Sequence, residues 1–166
     1  MKLKKIRIIN YRCFKDANID FDEHTTLIVG KNGAGKTAIL DAVAVAVSTF
    51  LLGIDGGVGR SILKDDARYE FHDLDGTVDP QHQFPVSIES IGDCLDNHDV
   101  KWVRSLNSES GNTTVKEARE LTNISKEAQK RIMTGDKSLI LPLISYYGTG
   151  RLYAQKKEKK NIKSLT

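Results

Sequence analysis

Apolar and polar residues alternate at the start of the chain with the two-residue period of a half-buried strand. This alternation predicts a strand over residues 2–9 and a partner strand over residues 17–21, joined by a short turn. A third strand is predicted over residues 25–29, where β-branched and apolar residues follow one another. Over residues 36–52 apolar side chains cover nearly the whole circumference of a helix. A helix with so little polar surface is buried, so we expect it to pack on the sheet and to end at Gly53.

The middle of the chain is more polar. Residues 53–83 are rich in aspartate and glycine, and they predict no regular structure beyond a short helical turn near residues 61–68. Two stretches with strand character follow, over residues 84–91 and 100–106. The polar connection between them, residues 92–99, indicates a hairpin.

The last third of the chain predicts one helix and one strand. Residues 114–117 read Thr-Val-Lys-Glu, the pattern of a capping box, and apolar residues then recur at spacings of three and four as far as Thr134. Gly135 ends this helix. Residues 138–147 are strongly apolar and predict a buried strand, in which Pro142 favours an edge position or a bulge. Because strands and helices alternate, the fold class is α/β.

An eight-residue Walker A motif, G-x-x-x-x-G-K-[ST], lies between the third predicted strand and the long apolar helix. It consists of Gly30, Lys31, Asn32, Gly33, Ala34, Gly35, Lys36 and Thr37. Its glycines let successive backbone amides face one anion, and the helix that follows adds its amide donors and positive dipole end. Lys36 would reach the β- and γ-phosphates, and the Thr37 hydroxyl would bind Mg²⁺. The motif therefore predicts a protein that binds a nucleotide together with Mg²⁺.

Composition narrows the protein class. The 166 residues suffice for one domain or a large part of one, and 39% hydrophobic and 28% charged residues are ordinary for a soluble protein. We find no apolar run near the roughly 18 residues of a membrane span, and the first residues alternate in a way that is not typical of a signal peptide.

Cys13 and Cys94 lie far apart and in no metal-binding spacing. We therefore expect reduced thiols in a cytoplasmic protein.

Two charged regions have competing interpretations. Residues 151–166 hold Arg151 and five lysines against one acid, which suits contact with nucleic acid or another acidic surface. A solvated helix end or a linker explains the same charges, and we favour it. The second region places histidines among aspartates without the spacing of a metal site, so we favour a surface loop. Its residues are His72, His82, Asp73, Asp75 and Asp79.

The motif has a specific context, since residues 8–14 read Ile-Ile-Asn-Tyr-Arg-Cys-Phe and the Walker A motif follows within the first forty residues. This arrangement resembles the start of the SMC/RecF class of ABC-type ATPases, which act in DNA repair, chromosome organisation and phage defence. A second stretch, residues 146–151 (Tyr-Tyr-Gly-Thr-Gly-Arg), resembles a bacterial family of ATP-binding proteins involved in virulence, close to the ATPase subunit of Septu-type anti-phage systems. The resemblance implies that residues 1–150 form the N-terminal lobe of an ABC-type ATPase head, with a mixed sheet and an antiparallel β subdomain. Residues 151–166 would then be a basic tail or the start of a second lobe.

The resemblance also implies roles for particular residues. Arg12 stands where the class places a basic residue near the nucleotide, so we expect it to contact phosphate or adenine; the alternative is a surface arginine at a strand end. The segment after Tyr147 occupies the region of the Q-loop, whose glutamine senses Mg²⁺ and the γ-phosphate. Gln155, Thr149 and Arg151 remain open as candidates for that role, and the Gly-Thr-Gly turn can also be purely structural.

The chain departs from the class in its catalytic parts. It contains no L-S-G-G-[QE] signature, no apolar run ending in Asp-Glu after the Walker A motif, and no terminal switch histidine. Asp65, Asp66 and Asp93 lie in polar segments that we regard as unrelated to catalysis, so no catalytic residue is assigned. We therefore expect an expressed fragment or a shortened gene product that lacks a C-terminal lobe or a second ATPase subunit. By resemblance the partners are ATP, DNA and a nuclease, with no membrane, in a homodimer or higher oligomer.

Three functions remain open. The first is the ATP-binding lobe of an SMC/RecF-like ATPase, in which ATP drives the dimerisation of two heads. The second is a regulatory or interaction module that binds nucleotide without hydrolysing it. The third is a small P-loop kinase, which is disfavoured because the sequence has no arginine-rich lid and predicts two strands before the one leading into the motif.

Overall fold

The computed structural model describes residues 1–74 and 77–148; of residues 72–74 and 77–78 it describes the backbone alone. Four strands form one sheet and two more form a separate hairpin. The elements are β1 (Lys2–Tyr11), β2 (Phe14–Asp20), α1 (Lys36–Ser48), 3-10 turns at Thr49–Gly53 and Lys64–Asp66, β3 (Tyr69–Leu74), β4 (Thr77–His82), β5 (Val86–Cys94), β6 (Asn97–Leu106), a 3-10 turn at Lys116–Ala118, and α2 (Arg119–Met133).

The main sheet has the order β2-β1-β5-β6, and all of its pairings are antiparallel. On β1 the side chains of Ile6 and Ile8 are fully buried, while Arg7 between them is exposed on the outer face. This is the alternation that the sequence shows, because successive side chains of a strand point to opposite faces. The predicted hairpin between β5 and β6 is confirmed, and it closes in two residues, since Cys94 pairs with Asn97.

The core lies between this sheet and α1. The predicted buried helix is confirmed: Ala42 and Val45 are fully buried, and the indole Nε1 of Trp102 on β6 donates to the Ala46 carbonyl at 3.0 Å. The 3-10 turn that continues α1 packs against α2. At Gly53 this approach is so close that an added Cβ would lie 1.9 Å from the Ser125 hydroxyl oxygen, so only glycine fits there.

Two predicted strands are absent from the part of the chain that the structure describes. Residues 25–29 and 138–147 have no strand assignment, and several of their apolar side chains face solvent, with Leu27 82% and Leu143 95% exposed. An apolar run becomes a strand only where a neighbouring strand takes up its hydrogen bonds. No strand within residues 1–74 and 77–148 pairs with these two segments.

Two further predictions were wrong in detail. Strands β3 and β4 pair antiparallel where we predicted irregular structure, whereas the short helical turn predicted near residues 61–68 is confirmed at Lys64–Asp66. The capping box at residues 114–117 does not form, because the Thr114 amide donates to the Ser105 carbonyl and its hydroxyl accepts from the Ser105 amide. The helix instead begins at Arg119 after a 3-10 turn. Its predicted end is confirmed at Gly135, which has a φ of 90°.

The segment Lys36–Gly53 has the length and hydropathy of a membrane-spanning helix, contrary to our expectation that no apolar run approaches that length. In the fold 56% of this segment is buried, and core helices of soluble proteins pass the same test. Its position against the sheet explains its composition without a membrane.

Candidate nucleotide-binding site

The glycine loop, residues 30–37, leads directly into α1. Gly33 and Gly35 have φ angles of 84° and 87°, in the left-handed region that side chains other than glycine avoid. Gly35 is constrained a second time, because an added Cβ would lie 2.6 Å from both the Cys13 sulfur and the Phe14 ring. The Gly33 position, in contrast, is open. The two glycines thus allow a tight turn of the backbone, and Gly35 allows the loop to pack closely against the start of β2.

The first turn of α1 suits an anion. Gly35 is its N-cap, no side chain in the described chain caps the helix, and no acidic residue lies in its first turn. The amide donors at the start of a helix, together with the positive end of its dipole, attract negative charge. An anion at this end of α1 therefore meets donors and no repelling carboxylate of the first turn.

Lys36 and Thr37 occupy the positions that the motif requires. The Lys36 ammonium donates to the carbonyls of Gly30 and Lys31, both at 2.7 Å, which folds its side chain back over the loop. Thr37 is exposed on the first turn of α1. A cation and a hydroxyl are thus presented at the rim of the same loop, where a phosphate and its metal ion would be bound.

A cavity of about 490 Å³ opens beside the glycine loop. This volume lies within the range of small-molecule sites. It is lined by Arg12, Cys13, Asn32, Gly33, Gly35, Lys36, Thr37 and Ala38. Six predicted site residues therefore meet at one cavity. The other three, Gly30, Lys31 and Ala34, complete the loop, and the carbonyls of the first two hold Lys36.

Arg12 lies at this cavity, but in the structure it contacts two carboxylates. Its Nε donates to Asp66 at 2.8 Å and its Nη1 to Asp41 at 2.6 Å. Burial lowers the pKa of Arg12, but the neighbouring Tyr11 and the hydrogen bonds to Asp66 and Asp41 outweigh it, so the pKa is raised overall. The guanidinium is charged at every working pH. The predicted contact between Arg12 and a nucleotide stays a prediction.

Asp41 and Asp66 are site residues that the sequence reasoning missed. The sequence placed Asp66 in a polar segment without a role in catalysis, and the structure brings it to Arg12 beside the glycine loop. Asp41 is buried one helical turn after Thr37 and also forms an ion pair with Arg60 at 2.8 Å. A signal for Asp41 was present: it is the only acid in an apolar helix, and a buried carboxylate requires partners.

The second motif reaches the site through its first residue. The Tyr146 hydroxyl donates to Asp41, and the Arg60 guanidinium lies 5.0 Å from the centre of the Tyr146 ring. The Q-loop candidates Thr149, Arg151 and Gln155 lie outside the described residues, as does the basic tail.

The two cysteines are free, as predicted. Cys13 is exposed at the cavity, whereas Cys94 is buried, which raises its pKa. Among the residues that the structure describes, no group of three His, Cys, Asp or Glu side chains could hold a metal ion. The His72, Asp73 and Asp75 side chains fall outside that description.

Comparison with known proteins identifies the family. The sequence profile of the AAA domain family matches residues 5–166, nearly the whole chain. The chain belongs to the AAA domain family. Its similarity to curated proteins confirms the resemblance to the SMC/RecF class of ABC-type ATPases and to the N-terminal lobe of their heads.

Three relatives illustrate this similarity. A DNA double-strand break repair Rad50 ATPase of Archaeoglobus fulgidus is 50% identical over 44 residues, 26% of this chain and 5% of that protein. A DNA replication and repair protein RecF of Flavobacterium johnsoniae is 49% identical over 43 residues, 26% of this chain and 12% of that protein. The RecF of Chlorobium phaeobacteroides is 33% identical over 89 residues, 54% of this chain and 23% of that protein. The chain thus spans less than a quarter of the length of each of these relatives.

A solved structure also aligns with this one. It comes from work on ATP-driven dimerisation and DNA-stimulated activation of SMC ATPases, and it is 19% identical, with a TM-score of 0.48. The alignment covers 75% of this chain and 80% of that one.

Proposed function

We propose that this chain is the nucleotide-binding lobe of a DNA-repair-type ATPase of the SMC/RecF class, and that residues 30–37 bind ATP with Mg²⁺. The observation that carries the proposal is the glycine loop at the uncapped start of α1, where Gly33 and Gly35 adopt left-handed backbone angles and Lys36 lies over the loop. Family membership supports the same assignment.

The chemistry of binding follows from these groups. The β-phosphate accepts hydrogen bonds from the loop amides and the first turn of α1. Lys36 exchanges its contacts with the Gly30 and Lys31 carbonyls for phosphate oxygens, which are stronger acceptors because they are charged. Thr37 supplies one oxygen ligand to Mg²⁺, and Arg12 donates to phosphate from the side of β1.

The behaviour of the whole protein is part of the proposal. Relatives in the class are named for DNA double-strand break repair and for DNA replication and repair. We extend to this chain ATP-driven pairing of two heads, action on DNA in repair or phage defence, a nuclease partner and a cytoplasmic location. A nucleotide-binding module without hydrolysis remains the alternative.

A calorimetric titration with ATP in the presence and absence of Mg²⁺ tests the assignment. The parent chain binds Mg-ATP, Lys36→Ala loses most of that affinity, and Thr37→Ala loses the part that depends on Mg²⁺. Lys126→Ala is the control, because Lys126 is an exposed lysine on α2 outside the site. Parent-like binding by Lys36→Ala would refute the proposal.

A further inference from the structure

Asp41 is contacted by polar groups from three separate parts of the chain. Arg12, which follows β1, donates to its Oδ2 at 2.6 Å. Arg60, beyond α1, lies 2.8 Å from its Oδ1, and the Tyr146 hydroxyl donates to the same oxygen. Since Oδ1 is held by two groups, the carboxylate cannot rotate freely, and the direction in which Oδ2 faces Arg12 is set.

Asp66 holds the other side of the Arg12 guanidinium in the same manner. Its Oδ2 accepts from the Leu63 amide at 2.9 Å, which leaves Oδ1 to accept from Arg12 Nε at 2.8 Å. The Arg12 amide also donates to the Asp66 carbonyl at 2.7 Å. Two nitrogens of one rigid, planar group are thus fixed by two carboxylates.

The backbone of Arg12 is also constrained. Its φ is 51°, in the left-handed region that residues with a side chain seldom adopt. Such conformations persist only where surrounding contacts impose them, and they cluster at functional sites. The Nη2 group takes part in none of the hydrogen bonds described for Arg12, and the side chain lines the cavity beside Gly35 and Lys36.

A carboxylate near a phosphate site repels the phosphate. A contribution to binding that offsets this repulsion is therefore expected of Asp41. We propose that Asp41 is a positioning residue: with Asp66 it fixes the Arg12 guanidinium so that Nη2 faces the phosphates of the bound nucleotide. Arg60 and Tyr146 hold Asp41 in the orientation that this requires. The inference rests on the proposed nucleotide site and assigns Asp41 no contact with the nucleotide itself.

A double-mutant cycle separates positioning from charge. Mg-ATP affinity is measured by calorimetry for the parent chain, Asp41→Asn, Arg12→Ala and the double variant. Removing the Asp41 charge relieves repulsion equally whether or not Arg12 is present, so any difference between the two backgrounds reports their coupling. We expect Asp41→Asn to weaken binding about fivefold or more in the parent and to change it by less than about twofold in Arg12→Ala.

Asp16→Asn is the matched control. Asp16 is also bound by an arginine, since it accepts two hydrogen bonds from Arg7 at 3.0 and 2.8 Å, but that pair is exposed on strands β1 and β2, away from the cavity lining. We expect Asp16→Asn to bind Mg-ATP with the affinity of the parent chain. Parent-like or tighter binding by folded Asp41→Asn overturns the inference and leaves the proposed function intact. If the parent chain does not bind Mg-ATP, both the inference about Asp41 and the proposed function are wrong.

Arg12→Lys keeps the test decisive if Asp41→Asn does not fold. Lysine retains the positive charge but cannot bridge two carboxylates and still direct a third nitrogen at the phosphates. In our account Arg12→Lys binds Mg-ATP about as weakly as Arg12→Ala. Restoration of parent affinity by lysine would show that charge alone suffices, and the positioning role of Asp41 would be wrong.

Discussion

Gly35 is the point at which the glycine loop passes closest to the start of β2. A methyl group there meets Cys13 and Phe14, and the φ of 87° adds strain of its own. Gly35→Ala should therefore cost about 1–2 kcal/mol for the backbone and about 1–3 kcal/mol for the overpacking. Gly33→Ala is the control, because its φ of 84° brings only the first cost. Equal melting temperatures for the two variants would contradict this geometry.

Arg12 contributes to the stability of the chain in a way that the sequence did not reveal. A surface arginine contributes little to stability, but Arg12 pairs with two buried carboxylates. Arg12→Ala should weaken Mg-ATP binding about tenfold or more and also destabilise the apo chain by about 1–3 kcal/mol. Affinity is measured well below the melting temperature, with urea unfolding as the second readout. Unchanged affinity with lowered stability would make Arg12 a purely structural residue.

The contacts around Asp41 explain why the site was only partly predictable. The glycine loop is contiguous, so a motif found all eight residues. The partners of Arg12 lie 29 and 54 residues further along the chain. No local pattern specifies such a contact, because it depends on how α1 and the segment before β3 pack against β1.

Among the strands and helices, the elements with one buried face were predictable. Strands β1, β5 and β6 and helix α2 repeat apolar residues at the period of their structure, and each packs on the core. The β3–β4 hairpin was missed because its two strands pair only with each other and contain charged residues and Pro80. Strands were wrongly predicted at residues 25–29 and 138–147. An apolar run is typical of a buried strand, but it does not show whether a neighbouring strand is present to pair with it.

The end of the β5–β6 hairpin should be sensitive to acid. Asp93 accepts from Lys4 at 2.6 Å and from the Asp99 amide at 3.0 Å, which lowers its pKa to about 2. A carboxylate whose pKa is lower in the folded state stabilises the fold above its unfolded pKa of about 3.9, and that contribution is lost as pH falls toward 2. Asp93→Asn should therefore flatten the pH dependence of stability between about pH 4 and 2. If the free energy of unfolding falls with pH in the same way for parent and variant, the contribution of the Asp93–Lys4 pair is contradicted.

For the chain as a whole, exposed apolar segments predict self-association. Leu27, Val29, Ile140 and Leu143 are 77–95% exposed, and unpaired apolar backbone is a template for pairing with another chain. Light scattering should show a molar mass that rises with concentration, and Leu27→Lys with Leu143→Lys should reduce that rise. A constant monomer mass for the parent across the concentration range would refute this expectation.

The chain should bind nucleotide but scarcely hydrolyse it. Phosphoryl transfer needs a fixed metal, an oriented water and stabilised charge together, and loss of elements that act as a unit removes most of the rate. The carboxylates beside the glycine loop, Asp41 and Asp66, are both bound to Arg12. Steady-state phosphate release should stay near background and rise when a second lobe is supplied. Robust turnover abolished by Lys36→Ala would instead reveal a catalytic carboxylate within this chain.

The most direct test of the central claim is to locate the bound nucleotide. In a ¹⁵N-labelled sample of this 18.5 kDa chain, Mg-ATP should shift the amide resonances of residues 30–37 and the first turn of α1 most strongly. The Arg12 side chain should respond as well, and the changes should vanish in Lys36→Ala. The outer sheet face, where Lys5, Arg7 and Lys101 line a separate cavity, should stay unchanged. Shifts confined to that face, or no saturable shifts in the glycine loop, would contradict the account.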